Sequence, residues 1–128
     1  MAGQNLSQHK IGWIGTGRMG FAMAQRLLKN GADVAVWNRT KSKAEPLTDD
    51  GATVVESPAD LADRDIVFTM VGGPADFVQV TLEDGGVLSQ NKKPKMLIDS
   101  TSVDEAASST VRAAAEDMGV PMLAAPVS

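Results

Sequence analysis

Short runs of apolar and β-branched residues alternate with helix-patterned or polar stretches along the whole chain. Residues 11–14, 32–37, 53–56, 66–71, 96–98 and 120–124 read as strands, rich in Ile, Val, Ala and Trp and bounded by Gly, Pro, Asn or Asp. The run 66–71 (Ile-Val-Phe-Thr-Met-Val) lacks polar alternation, as expected of a central parallel strand buried on both faces. Between the strands, residues 18–30 carry Met19, Met23, Leu27 and Leu28 near the helical period and stop at Gly31, a natural left-handed terminator. Met19 is expected to face the core. Further helices are predicted over 75–82 and 103–118. Ser42-Lys43-Ala44-Glu45 has the form of a capping box for a short helix ending by Gly51, with Pro46 making its start irregular. Ser57-Pro58 caps another short helix to about residue 63. Strands alternating with helices imply an α/β fold of the Rossmann type, doubly wound, with a mostly parallel sheet of about six strands and helices on both faces. The domain is expected over residues 10–128, after a flexible tail over residues 1–9.

The first strand runs directly into Gly15-Thr16-Gly17-Arg18-Met19-Gly20, and the first helix opens at once. Glycine spacing alone is a weak signal, but this strand-loop-helix setting makes it a dinucleotide fingerprint. Gly15 serves the tight turn, Gly17 lets a pyrophosphate approach the backbone, and Gly20 lets helix and strand pack closely. The unpaired N–H groups of the helix's first turn then face the phosphates. Arg18 is either a solvated side chain or a clamp on those phosphates.

The second strand ends in Asn38-Arg39-Thr40. In dinucleotide folds an acidic residue about 20 positions after the glycines holds the ribose 2′-hydroxyl, whereas an arginine accommodates a 2′-phosphate. Here Asn38 stands where the acid would be, and Arg39 can give a phosphate several charge-assisted hydrogen bonds. Thr40, Lys41 and Lys43 are further donors. The cofactor expected is therefore NADP rather than NAD. Gly72-Gly73 follows the central strand and either lets backbone approach a ligand or forms a turn before Pro74. The hydroxyls of Ser100, Thr101 and Ser102 are either helix caps or cofactor donors.

Composition narrows the chemistry. In 128 residues there is no cysteine, and the single histidine is His9, so thiolate sites, zinc centres and histidine catalysis are not expected. A net charge of −4 and a pI near 4.8 argue against a nucleic-acid surface. No apolar run reaches the ~18 residues needed to span a membrane, and residues 1–10 lack a signal-peptide centre, so the expected location is cytoplasmic.

Taken together, Gly15-x-Gly17-x-Met19-Gly20, Asn38-Arg39-Thr40, Phe68-Thr69-Met70-Val71, Asp99-x-Thr101-Ser102 and Ala125-Pro126-Val127-Ser128 resemble the N-terminal domain of the β-hydroxyacid dehydrogenases. That group includes 3-hydroxyisobutyrate dehydrogenase, tartronate semialdehyde reductase and glyoxylate/succinic semialdehyde reductases, and is related to 6-phosphogluconate dehydrogenase. The resemblance implies hydride transfer between a nicotinamide and a small β-hydroxy acid or its semialdehyde. It places the nicotinamide half near Met70, Val71, Gly72 and Ser102, and makes Ser128 the start of a substrate-carboxylate motif. The family's acid/base lysine falls beyond Ser128, with a helical domain after it, so no catalytic residue is expected within these 128 residues. Without that domain, apolar surface and a homo-oligomer are expected. Glu105 stands where the family has proline, and Ala124 where it has aspartate, which touches substrate subclass more than cofactor. The rival reading is a non-catalytic NADP-binding module acting as sensor or assembly domain.

Overall fold

The structure is a computed structural model and describes residues 9–71, 73–100 and 105–124. Six strands form one sheet: β1 (Lys10–Ile14), β2 (Asp33–Trp37), β3 (Thr53–Val54), β4 (Ile66–Thr69), β5 (Met96–Asp99) and β6 (Met122–Ala124). Every pairing is parallel, in the order β3-β2-β1-β4-β5-β6. The chain works outward from β1 through β2 to β3, then returns to pair β4 on the other side of β1. Ligands of open parallel sheets sit at that reversal, outside the carboxyl ends of the strands.

Among the described residues three α-helices cover the sheet: α1 (Arg18–Lys29), α2 (Pro74–Thr81) and α3 (Glu105–Asp117). One core packs Ile14, Ala35, Val67 and Leu97 of the sheet against Phe77 and Val80 of α2 and Val111 and Ala115 of α3. The other packs Ile11, Trp13, Val34 and Val36 against Ala24 and Leu28 of α1. Because side chains alternate along a strand, neighbouring residues of β1 and β2 belong to different cores. The doubly wound expectation therefore holds. Coverage is unequal, however. Val67, Thr69, Leu97 and Asp99 are buried beneath α2 and α3, while Ile66, Phe68 and Ile98 on the opposite face are only half-buried and Leu123 of β6 is 52% exposed.

Several expectations need correction. The capping box does not form: residues 41–51 make two 3-10 turns, Lys41–Lys43 and Glu45–Asp50, with Ser42 inside the first. Pro46, in the first turn of the second segment, has no N–H to carry a helix through from Ser42, so the chain restarts at Ala44. Gly51 ends the segment at φ 102°, as expected. Ser57 does cap, its Oγ accepting the Ala59 N–H at 3.2 Å, but the segment it opens is the 3-10 turn Pro58–Leu61. β3 is two residues long rather than four, and β4 ends at Thr69 rather than Val71. Met19 is not core. Helix α1 packs through Gly20, Ala24 and Leu28, the row spaced by four, because glycine permits the closest approach there. Met19 lies one step round the helix and is 47% exposed. The expectations for residues 1–8, Gly72, Thr101, Ser102 and residues 125–128, including Ser128, fall outside the described residues.

Candidate functional site

Where β1 ends, Gly15 turns the chain at φ 101°, a region that L side chains avoid. Its N–H donates to the Trp37 carbonyl at 2.9 Å, tying the loop to the end of β2. A Cβ on Gly15 would sit 2.1 Å from the Met70 carbonyl oxygen. One on Gly20 would lie 2.3 Å from the Gly15 oxygen. Both glycines are thus required by the protein's own packing. Gly17 differs: its φ of −63° suits any residue, and a Cβ there would meet nothing within 4 Å.

Gly17 is the N-cap of α1, so no side chain caps the helix, and its first turn holds no acidic residue. The open N–H groups and the positive end of the helix dipole are consequently left free, with no carboxylate in that turn to oppose an anion. They open on a crevice of about 430 Å³, within the range of small-molecule sites. Gly15, Gly17, Arg18, Met19 and Gly20 form one wall, and Asn38, Arg39, Met70 and Val71 meet them from β2 and β4. Nine of the expected cofactor residues therefore converge on one crevice. Thr16 and Thr40 do not line it, and Gly72 and Ser102 lie outside the described residues.

Two side chains hold this loop in shape. Asn38 Oδ1 accepts the Thr16 N–H at 2.8 Å, and its Nδ2 donates to the Thr40 carbonyl at 2.9 Å. Asn38 therefore links the glycine loop to the strand end that follows β2. The Thr16 hydroxyl is buried without a partner. Trp13, fully buried, donates its indole N–H to the Gly15 carbonyl at 2.8 Å and stacks on Phe68 with ring centroids 4.9 Å apart. Trp13→Phe removes the donor and leaves a small cavity, whose cost adds to that of the lost bond. An unpartnered buried carbonyl should lower stability by about 1–3 kcal/mol, read from urea denaturation. An unchanged midpoint would mean the indole bond contributes nothing.

At the far end of the crevice the structure adds what the sequence does not reveal. Trp37, Asp76 and Val80 also line it. The strand end holds no carboxylate, as expected, but α2 delivers one: Arg39 pairs with Asp76 and donates to Gln79 Oε1 at 2.9 Å. Lys41 is held by Glu56 at 2.7 Å, and that hydrogen bond raises its pKa above the ordinary lysine value. Among the described residues no cluster of carboxylates and histidines could hold a metal, and no helix is long and apolar enough to cross a membrane.

A glycine loop at a sheet reversal, with a helix start open to an anion, fits a dinucleotide. Residues 10–128 match the NAD-binding domain of 6-phosphogluconate dehydrogenase. The chain belongs to that family. As its hydroxyacid dehydrogenase branch would require, the similar proteins are oxidoreductases. The chain is 43% identical over 124 residues to the probable mitochondrial 3-hydroxyisobutyrate dehydrogenase-like 1 of Arabidopsis thaliana, covering 95% of this chain and 37% of that protein. To the chloroplastic glyoxylate/succinic semialdehyde reductase 2 of the same plant it is 40% identical, covering 92% of this chain and 33% of the other. The structure of Psf3 in complex with NADP+ and 2-OPP superposes with a TM-score of 0.83 at 27% identity, over 92% of this chain and 42% of Psf3. The chain thus spans only a third to two-fifths of the length of these relatives.

Proposed function

We propose that this chain is the cofactor-binding part of an NADP-dependent oxidoreductase that moves hydride between a nicotinamide and a small β-hydroxy acid or its semialdehyde. The observation that carries the reading is Gly17. Neither its backbone angles nor any neighbouring atom of the described residues requires a glycine there, yet Gly17 lines the crevice, where an added side chain would compete with a ligand for space. A pyrophosphate laid against the first turn of α1 accounts for it. The N–H groups of that turn would hold the phosphates, Arg39 the adenosine end, and Met70 and Val71 the nicotinamide half. When bound, the nicotinamide supplies the hydride chemistry, while the protein orients it. The names of the relatives support the substrate class, and Arg39 supports the preference for NADP.

Titration of nicotinamide fluorescence with NADPH and NADH tests this. Wild type is expected to bind NADPH more tightly. Arg39→Ala should lose one charge-assisted contact, roughly 1.5–3 kcal/mol, or about one to two decades of NADPH affinity, with NADH little changed. Equal NADPH affinity in the two proteins would remove Arg39 from the site. The half-covered sheet face around Phe68, Ile98 and Leu123 further supports self-association.

A further inference from the structure

The cation assigned to the 2′-phosphate is already paired with a carboxylate. Arg39 sits at the end of the crevice with Asp76 on one amino group, and Gln79 accepts from that same group at 2.9 Å. Asp76 lies in the first turn of α2, where a carboxylate commonly serves the helix N-terminus. Here no side chain caps α2, and Asp76 turns to Arg39 across the crevice. It is also a lining residue, so its charge faces the space a ligand would enter. A second groove of about 320 Å³ shares Arg39 with this crevice, and it is lined by two more carboxylates, Glu56 and Asp84. Among the described residues lining that groove, Arg39 is the only cation.

NADP differs from NAD at this end by one group, a phosphate carrying up to two negative charges. A 2′-phosphate can reach Arg39 only by displacing Asp76, which gives up the ion pair, or by sharing the guanidinium with it, which holds two anions within a few ångströms of each other. Like charges at that distance raise the free energy of the bound state. A ribose hydroxyl carries no charge and leaves the ion pair undisturbed.

We propose that Asp76 is a specificity-determining residue of this crevice: it occupies Arg39 as an internal stand-in for the 2′-phosphate and so narrows the preference for NADP over NAD. This rests on the assignment of Arg39 to the 2′-phosphate. Asp76 acts through Arg39 and through its own charge, and it has no part in the hydride step.

The test is the ratio of NADPH to NADH affinity in wild type, Asp76→Asn, Asp76→Glu and Arg39→Ala. Asp76→Asn keeps the shape and one oxygen acceptor but removes the charge. It should tighten NADPH about tenfold and change NADH by less than about twofold, since removing one close like-charge contact is worth about one decade. Asp76→Glu, which keeps the charge, should retain the wild-type ratio. A purely structural role would shift both cofactors and the melting temperature together, leaving the ratio alone. An unchanged ratio in Asp76→Asn therefore overturns the proposal, and so does a selective loss of NADH, which would mean that the carboxylate holds the ribose hydroxyl instead. If Arg39→Ala weakens NADPH while Asp76→Asn leaves the ratio unchanged, only the role of Asp76 fails. If Arg39→Ala leaves NADPH affinity intact, the assignment of Arg39 fails and takes this one with it.

Discussion

Gly17→Val should abolish measurable dinucleotide binding while leaving the domain folded. The substitution is undemanding for the protein. At φ −63° and ψ 179° the backbone is in a region valine adopts readily, and a Cβ there meets no atom within 4 Å. Glycine is a better N-cap than valine, so a loss of stability up to about 1 kcal/mol is expected and no more. Binding responds differently. Two methyl groups would stand in front of the open N–H groups of α1, in the path of the pyrophosphate. Forfeiting two charge-assisted bonds, each about 1.5–3 kcal/mol, lowers affinity by at least about a hundredfold. Circular dichroism reports the fold and nicotinamide fluorescence the binding. A folded Gly17→Val that still binds NADPH with wild-type affinity would make the loop glycines structural, and the cofactor site would have to lie elsewhere.

The same loop shows why part of the site could be read from the sequence and part could not. Gly15, Gly17 and Gly20 are separated by a few residues, and the strand and helix they join are written in adjacent periodic patterns, so their roles follow from local geometry. The six strands are legible for a similar reason, since each is an apolar run in which tertiary packing and β-propensity agree. Asp76 is a different case. It meets Arg39 across 37 positions in sequence, and only the side-by-side placement of β1 and β4 brings the end of β2 near the start of α2. No pattern within either segment announces the pair. Asn38 is visible in the sequence as a residue at the ribose position, but its bond to the Thr16 N–H depends on two loop ends 22 positions apart meeting in space. The failed capping box at Ser42 is a local conflict instead. Ser-x-x-Glu favours a helix start, whereas Pro46 withholds the N–H that would carry the helix past it, and the chain settles into two short turns. Met19 shows the limit of periodicity: the apolar stripe of α1 gives a direction to the core, and the position of glycine on the helix then decides which edge of the stripe is buried.

Gly15→Ala should act on the opposite property, destabilising the fold before binding is considered. Two penalties combine. At φ 101° an alanine is strained by about 1–2 kcal/mol relative to glycine. Its Cβ would also lie 2.1 Å from the Met70 carbonyl oxygen, a contact that must be relieved by moving backbone. That backbone is not free to move. The Met70 N–H donates to the Ile14 carbonyl at 2.8 Å, and the Gly15 N–H to the Trp37 carbonyl at 2.9 Å, so any shift breaks the junction of β1, β2 and β4. Overpacking of this kind adds about 1–3 kcal/mol, giving roughly 2–5 kcal/mol in total against a domain stability of about 5–15 kcal/mol. A melting temperature lower by about 8–20 °C is expected, since 1 kcal/mol shifts a domain of this size by about 4 °C. Thermal denaturation of Gly15→Ala beside Gly17→Val separates the two glycines: the first should melt early with or without cofactor, the second near wild type but without stabilisation by NADPH. Identical melting of Gly15→Ala and wild type would mean that the loop relaxes away from Met70 at no cost, and that the close approach of Gly15 to β4 does not hold the crevice in shape.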